Sequence, residues 1–317
     1  MKRPLRLAAC LLFATSAPAF AASVSAAPSR PAITGVSHIA VYAADPAKTE
    51  RFYVHDLGAT KGADPENPAG VRYYVSPAQF IEVLPLPATQ ADPKNRLDHV
   101  AFATTDAEGL RAYMAAKNIA VPAHVSKGGD GSQWFDTSDP EGNRVEFVQA
   151  PAKLSDVPLN PLSSHIIHIG YIIHNRALED GFYRDVLGFR PYWYGGFETD
   201  ATPVWISQQV PDGNDWIEYM VQKPVDGKGI PPAMSQQTAG VLDHFSLGVA
   251  SIEATYTALW NGDRLKGQDP NNLPKIGRDA KWQLNLYDPD GTRAEIMEFH
   301  AIGTPCCSPF TAKDPEK

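Results

Sequence analysis

"TSDPEGNRVEFVQ" (residues 137–149) and "LYDPDGTRAEIMEF" (residues 286–299) are two copies of one pattern, about half a chain apart. Asp139, Pro140, Gly142, Arg144 and Glu146 match Asp288, Pro289, Gly291, Arg293 and Glu295. In both, proline presets one turn dihedral and glycine accepts positive φ, so Asp-Pro-x-Gly reads as a tight turn launching a strand. Along that strand the side chains alternate. Arg144, Glu146 and Val148 share one face against Val145 and Phe147; Arg293, Glu295 and Met297 oppose Ala294 and Ile296. The apolar face suits a sheet covered by helices, which sends the glutamates to the other, concave side.

The repeat extends outward. "GVSHIAVYAADPAKTERFYVHDLGA" (35–59) matches "IIHIGYIIHNRALEDGFYRDVLGF" (166–189), and "LDHVAFATTDAEGLRAYMAAKNI" (97–119) matches "LDHFSLGVASIEATYTALWNGD" (242–263). Repetition of this kind has to be settled before a fold is assigned. It yields four modules, at about 35–87, 97–150, 165–223 and 241–300, the first resembling the third and the second the fourth. Each reads as strand, helix and three further strands. The helix of the second module carries Leu110, Tyr113, Met114 and Ala116 on one face, with Asp106 as its N-cap. "APAKLSDVPLNPLSS" (150–164) is rich in Pro and Ser and reads as a linker. The expected organisation is therefore a domain at 35–150, a linker at 151–164, a domain at 165–300 and a tail at 301–317, in an α+β fold of paired βαβββ modules.

Each opening strand contains a histidine: His38, His99, His168 and His244. The same-face neighbour two residues later is always small: Ala40, Ala101, Gly170 and Ser246. Each fourth strand contains a glutamate, Glu82, Glu146, Glu218 or Glu295, at spacings of 44, 47, 50 and 51 residues from the histidine. Unpaired buried carboxylates are costly. Two facing modules would bring together two His and two Glu, a set that suits Zn, Ni, Co, Mn or Fe(II) with positions left for substrate. The competing reading is four structural His–Glu pairs inherited by duplication. Which modules face each other, within a half or across halves, is left open by the sequence.

The beginning of the chain reads differently. "MKRPLR" is a basic segment, "LAACLLFATSA" an apolar one, and Ala19-Phe20-Ala21 a cleavage signal, so residues 1–21 are expected to be a signal peptide and the protein periplasmic or secreted. Leu7-Ala8-Ala9-Cys10 spells a lipoprotein-type box, but the apolar segment lies after Cys10 rather than before it. Loss of Lys2, Arg3 and Arg6 takes the formal charge from −8 to −11. Such a balance disfavours nucleic acid and anionic membranes, no membrane insertion is expected after cleavage, and the expected partner is a small-molecule substrate. A homodimer is compatible with the sequence. Cys306 and Cys307, adjacent in the tail, could pair with each other, bridge between chains or capture a soft metal; a tail pair without catalytic role is the plainest reading.

These motifs resemble the vicinal oxygen chelate superfamily, which includes glyoxalase I, extradiol ring-cleavage dioxygenases and fosfomycin- and bleomycin-resistance proteins. The resemblance implies the glyoxalase/dioxygenase-like fold, with paired modules closing into cups around a divalent metal. It also implies ligands from the first and fourth strands, here His38, Glu82, His99, Glu146, His168, Glu218, His244 and Glu295. Glyoxalase-like lyase or isomerase chemistry would use a metal-stabilised enolate and a glutamate, with Glu82 or Glu146 in one cup and Glu218 or Glu295 in the other able to move the proton. Extradiol chemistry would use His168, His244 and Glu295 around Fe(II), although Glu218 adds a carboxylate and "PKIGRDAKWQLNLYDPDG" supplies no histidine as acid or base. A non-catalytic binding protein is the third reading. The second half offers wall groups for a substrate, among them Arg278, Trp205, Trp282, Tyr194 and Gln283. The remaining histidines, at 55, 124, 165, 174 and 300, lie outside the repeat and read as structural or exposed.

Overall fold

The computed structural model describes residues 28–88, 96–197, 203–222 and 243–316. The expected leader at 1–21 lies outside them. The first half contains β1 (Ile33–Ala43), α1 (Pro46–Glu50, continuing as a π-helical turn to Asp56), β2 (Thr60–Ala63), β3 (Val71–Ser76) and β4 (Gln79–Pro85). It continues with β5 (Leu97–Thr104), α2 (Ala107–Ala116), β6 (Ser126–Lys127), β7 (Gln133–Ser138) and β8 (Arg144–Gln149). The second half repeats the order with β9 (Ile166–Ile173), α3 (Arg176–Asp180, continuing as a π-helical turn to Val186), β10 (Arg190–Gly195), β11 (Trp205–Gln209) and β12 (Trp216–Val221). It ends with β13 (His244–Val249), α4 (Ile252–Asn261), β14 (Lys275–Ile276), β15 (Trp282–Tyr287) and β16 (Arg293–Glu298). Local chemistry sets the helix starts. Asp45, Asp106, Asn175 and Ser251 each accept backbone N–H bonds from the first turn of their helix. Leu110 and Met114 of α2 are buried and Tyr113 half-buried, whereas Ala116 ends the helix and faces solvent.

Two curled eight-stranded sheets result, ordered β2-β3-β4-β1-β5-β8-β7-β6 and β10-β11-β12-β9-β13-β16-β15-β14. Modules therefore pair within each half, through antiparallel contact of the two opening strands. The Val145/Phe147 and Ala294/Ile296 faces join one apolar core that runs through both halves. Gly142 and Gly291 both have φ of 90°, as the repeated turn requires.

Each turn also reaches the opposite half. Asp139 Oδ2 accepts the Tyr171 hydroxyl at 2.9 Å, and Asp288 Oδ2 accepts the Tyr53 hydroxyl at 3.1 Å. Glu141 accepts backbone N–H bonds from His174 and Asn175, and Asp290 accepts that of Ala44. Reciprocally, Tyr53 packs on Phe245 and Tyr183 on Phe102. The acidic residues of Asp-Pro-x-Gly thus fasten one half to the other, a second reason for writing the turn twice.

The tail folds back over the second sheet. Lys281, fully buried, donates to Asp314 Oδ1 at 2.8 Å, to the Phe299 carbonyl at 2.7 Å and to the Tyr192 hydroxyl at 3.1 Å. Cys306 and Cys307 are bonded to each other. Among the described residues no helix is long and apolar enough to cross a membrane.

Candidate metal centres

Strand register brings the repeated residues together. On the concave face Ala40 lies beside His99 on one neighbouring strand and Glu82 on the other; Ala101 lies between His38 and Glu146. Gly170 likewise separates His244 from Glu218, and Ser246 separates His168 from Glu295. The small residue of each module therefore keeps space open between the partner module's histidine and its own module's glutamate. At Gly170 the need is acute, since a Cβ there would stand 2.3 Å from His244 Cε1.

In the first cup His38 Nε2 and His99 Nε2 are 3.0 Å apart. Glu82 Oε2 is 3.6 and 3.5 Å from them, and Glu146 lies 3.6 Å from His38 and 3.8 Å from His99. In the second cup His168 Nε2 and His244 Nε2 are also 3.0 Å apart. Glu295 lies 3.2 Å from His168 and 4.0 Å from His244, and Glu218 is 3.6 Å from His244. Ligand atoms held about 2.0–2.2 Å from a common centre stand roughly 3–4 Å from one another, so these separations fit a divalent cation. Tight metal-like groupings fall on His38, His99 and Glu146, and on His168, Glu218 and His244. Glu82 Oε2 and Glu146 Oε1 are buried without a hydrogen-bond partner. Four buried, mutually facing groups with orphaned oxygens would be offset by a cation.

Electrostatics in the protein alone point the same way. Burial, with His99 nearby, holds His38 well below the usual imidazole range, and burial and Arg293 do the same to His244. Burial pushes Glu146 up, Glu82 up to about 10 and Glu218 up to about 8. Glu295 is desolvated too, yet the charge of Arg293 and the bond with His168 bring it below the ordinary carboxylate value. The ring orientations are fixed from behind. His38 stacks on Phe80 and His168 on Trp216, while Asp98 Oδ2 accepts a hydrogen bond from His99 Nδ1 at 2.7 Å, leaving Nε2 to face the cup.

The two cups differ in access. In the first, Arg72 stands beside Glu82 across β3 and β4, lies 4.1 Å over the Phe80 ring, and pairs with Asp64 and Glu66. The equivalent neighbour of Glu218 is Ser207, and a cavity of about 1080 Å³ opens there. Glu218, Glu295, Arg293, Asn285 and Tyr287 line it, and so do Lys48, Arg51 and Phe52 from α1 of the first half.

Of the expected wall groups, Trp205, Arg278 and Gln283 line this cavity. Trp282 does not: strand alternation sends Gln283, Asn285 and Tyr287 to the cavity and turns Trp282 with Leu284 and Leu286 to the apolar core. Tyr194 is exposed at the surface. Arg278 donates to the Gly196 carbonyl at 3.0 Å and touches Cys306 Sγ. His165, His174 and His300 each pair with a carboxylate outside both cups, and His55 pairs with Asp56 on the cavity wall. The residues that sequence reasoning missed are Arg72, Ser207 and Asn285, whose roles emerge only from cross-strand register, and the α1 residues, which arrive from the other half.

A model of the Glyoxalase/Bleomycin resistance protein/Dioxygenase superfamily matches residues 35–147. No curated protein matches the sequence. Among solved structures, the Mn(II)-bound glyoxalase from Novosphingobium aromaticivorans superposes with a TM-score of 0.64 at 17% identity, covering 84% of this chain and 83% of that one. The 2,3-dioxygenase LapB from Pseudomonas sp. KL28 gives 0.61 at 15% identity, covering 85% and 93%. A substrate complex of homoprotocatechuate 2,3-dioxygenase from Brevibacterium fuscum gives 0.60 at 16%, covering 86% and 82%. Likeness at such identity speaks for the fold. The family match thus covers residues 35–147, the second half repeats the same module order, and the whole chain has the two-domain fold of these solved structures.

Proposed function

We propose that this is an exported, metal-dependent enzyme whose working site is the second cup, performing glyoxalase-like proton transfer on a small vicinal-oxygen substrate. One observation carries the reading: the second cup joins a complete His/Glu set to an open cavity, whereas in the first a buried, carboxylate-paired Arg72 stands beside Glu82. His168, His244 and Glu295 would hold the cation, and Glu218, which also stands at ligand spacing from both histidines, would leave it to carry the proton. A divalent ion bound there would supply Lewis-acid polarisation of the substrate's adjacent oxygens.

Glu218 is the proton carrier in this reading. Its carboxyl borders the cavity, and burial, with the Glu295 charge, raises its proton affinity toward neutrality. As carboxylate it would take the proton from a carbon next to a carbonyl and, as acid, return it to the adjacent carbon, leaving the protein unchanged. Glu295, bonded to His168 and kept ionised by Arg293, would remain a ligand. The first cup would be a structural copy.

Ring cleavage is the second reading, favoured by Tyr287 on the cavity wall beside a two-His-one-Glu set. The test is metal analysis of the mature protein after growth with mixed metals, followed by two assays. Solvent deuterium incorporation next to a carbonyl, abolished in Glu218→Gln, supports proton transfer. Predominant iron and oxygen uptake with catechols, retained in Glu218→Gln, supports ring cleavage. No bound metal in wild type, after reconstitution with Zn, Ni, Mn and Fe(II), removes both and leaves a binding protein. Residues 1–21 as a cleaved leader would be checked by N-terminal sequencing of the exported form.

A further inference from the structure

Arg144 and Arg293 occupy equivalent positions at the start of β8 and β16, but their surroundings have diverged. Arg144 is neutralised twice, by Asp136 at 2.9 Å and Asp98 at 2.6 Å. Asp136 is the cross-strand neighbour of Glu146. The equivalent neighbour of Glu295 is Asn285, which has the same shape without the charge. Arg293 is only 4% exposed, its Nε is buried with no hydrogen-bond partner, and Asn285 Oδ1 is likewise unpartnered. Both residues line the cavity of the second cup. Among the described residues Arg293 forms no ion pair.

The charge of Arg293 acts on Glu295, but no carboxylate among the described residues bonds its guanidinium, and a buried charge without hydrogen-bonded pairing is expensive. Two ionised glutamates would balance a divalent cation, and Arg293 then leaves one positive charge for an incoming anion. Other acids on the wall are engaged elsewhere: Asp288 with Tyr53 and its own turn, Asp56 with His55, Asp279 with the Lys281 backbone, and Asp269 with Asn271. Lys266, Lys275 and Arg278 also line the cavity and pair with no carboxylate among the described residues, which favours entry of an anion.

We propose that Arg293 and Asn285 form a carboxylate subsite in the second cup, so that the substrate is a small carboxylic acid whose adjacent oxygens face the His/Glu set. The subsite rests on the metal reading of that cup. Two residues of strand separate Arg293 from Glu295, about 6.6 Å. The substrate's carboxylate is therefore a second group standing apart from its metal-facing oxygens. A guanidinium offers that carboxylate charge-assisted, directional bonds, while Asn285 donates through its amide nitrogen.

The probe pair is 3,4-dihydroxybenzoate and 3,4-dihydroxybenzamide, which differ in charge at a group across the ring from two adjacent oxygens. Affinities are measured calorimetrically on Zn(II)-loaded wild type, Arg293→Met and Asn285→Asp, with zinc content and circular dichroism recorded for each. Wild type is expected to bind the benzoate about tenfold to a hundredfold more tightly than the benzamide. Asn285→Asp restores the aspartate that the first half tolerates, so it remains folded, occupies Arg293 internally and loses the preference; Arg293→Met loses it too. Equal affinities in wild type, no binding of either probe, or a preference that survives both substitutions with zinc in place would overturn the subsite alone. Wild type that takes up no zinc would remove the metal reading on which the subsite rests.

Discussion

Glu218→Gln in metal-free protein separates the electrostatics of the second cup from the proton transfer proposed for it. The carboxyl's pKa rises from 4.5 when unfolded to about 8 when folded, so the folded state holds a proton that the unfolded state releases. The sign follows: this contribution to stability is complete below pH 4.5 and is lost as pH rises toward 8. At about 1.36 kcal/mol per unit, the shift sets a ceiling near 5 kcal/mol. Glu218 keeps 13% of its side chain open to the cavity, and solvent screening there reduces the expected loss to about 2–3 kcal/mol. Glutamine resembles the protonated acid and does not titrate. Urea denaturation in EDTA should therefore find variant and wild type similar at pH 5, and the variant about 2–3 kcal/mol more stable at pH 8.5. With metal added the order should reverse, because the variant has lost a carboxylate that the cation would neutralise. A difference between variant and wild type that stays flat from pH 5 to 8.5 in EDTA would refute this account of the cup.

Two further outcomes test the frame that holds the site. Asp139→Ala removes the acceptor of the buried Tyr171 hydroxyl and of its own turn N–H groups, and should cost about 2–3 kcal/mol in urea denaturation. Asp288→Ala should match it in the other half. Asp314→Ala leaves Lys281 buried with only a carbonyl and a hydroxyl, and should lower stability by about 3 kcal/mol, less than a fully buried pair because Asp314 is partly exposed. Limited proteolysis should then cut the tail after residue 300 in the variant before it cuts wild type.

Much of this protein follows from its sequence by itself. A period of two along "NRVEFVQ" and "TRAEIMEF" puts Glu146 and Glu295 opposite the apolar residues whatever the fold, because alternate side chains leave a strand on opposite faces. The repeated histidine, small residue and glutamate likewise define the chemistry of the cups, since chain spacing alone puts them on first and fourth strands. Asp106 as a helix cap and the positive φ of Gly142 and Gly291 are local facts of the same kind.

Tertiary structure decided what depends on neighbours distant in sequence. Pairing of β1 with β5 and β9 with β13 chose cups within each half, a choice the ligand types could not make because either pairing assembles two His and two Glu. Trp282 and Gln283 are adjacent in sequence, and only the sheet's curvature around its core determined which of them meets the cavity. The two cups differ by Arg72 against Ser207 beside one glutamate and by Asp136 against Asn285 beside the other. Those residues gain meaning from the strand beside them, because hydrogen-bond register, not chain position, sets which side chains share a space.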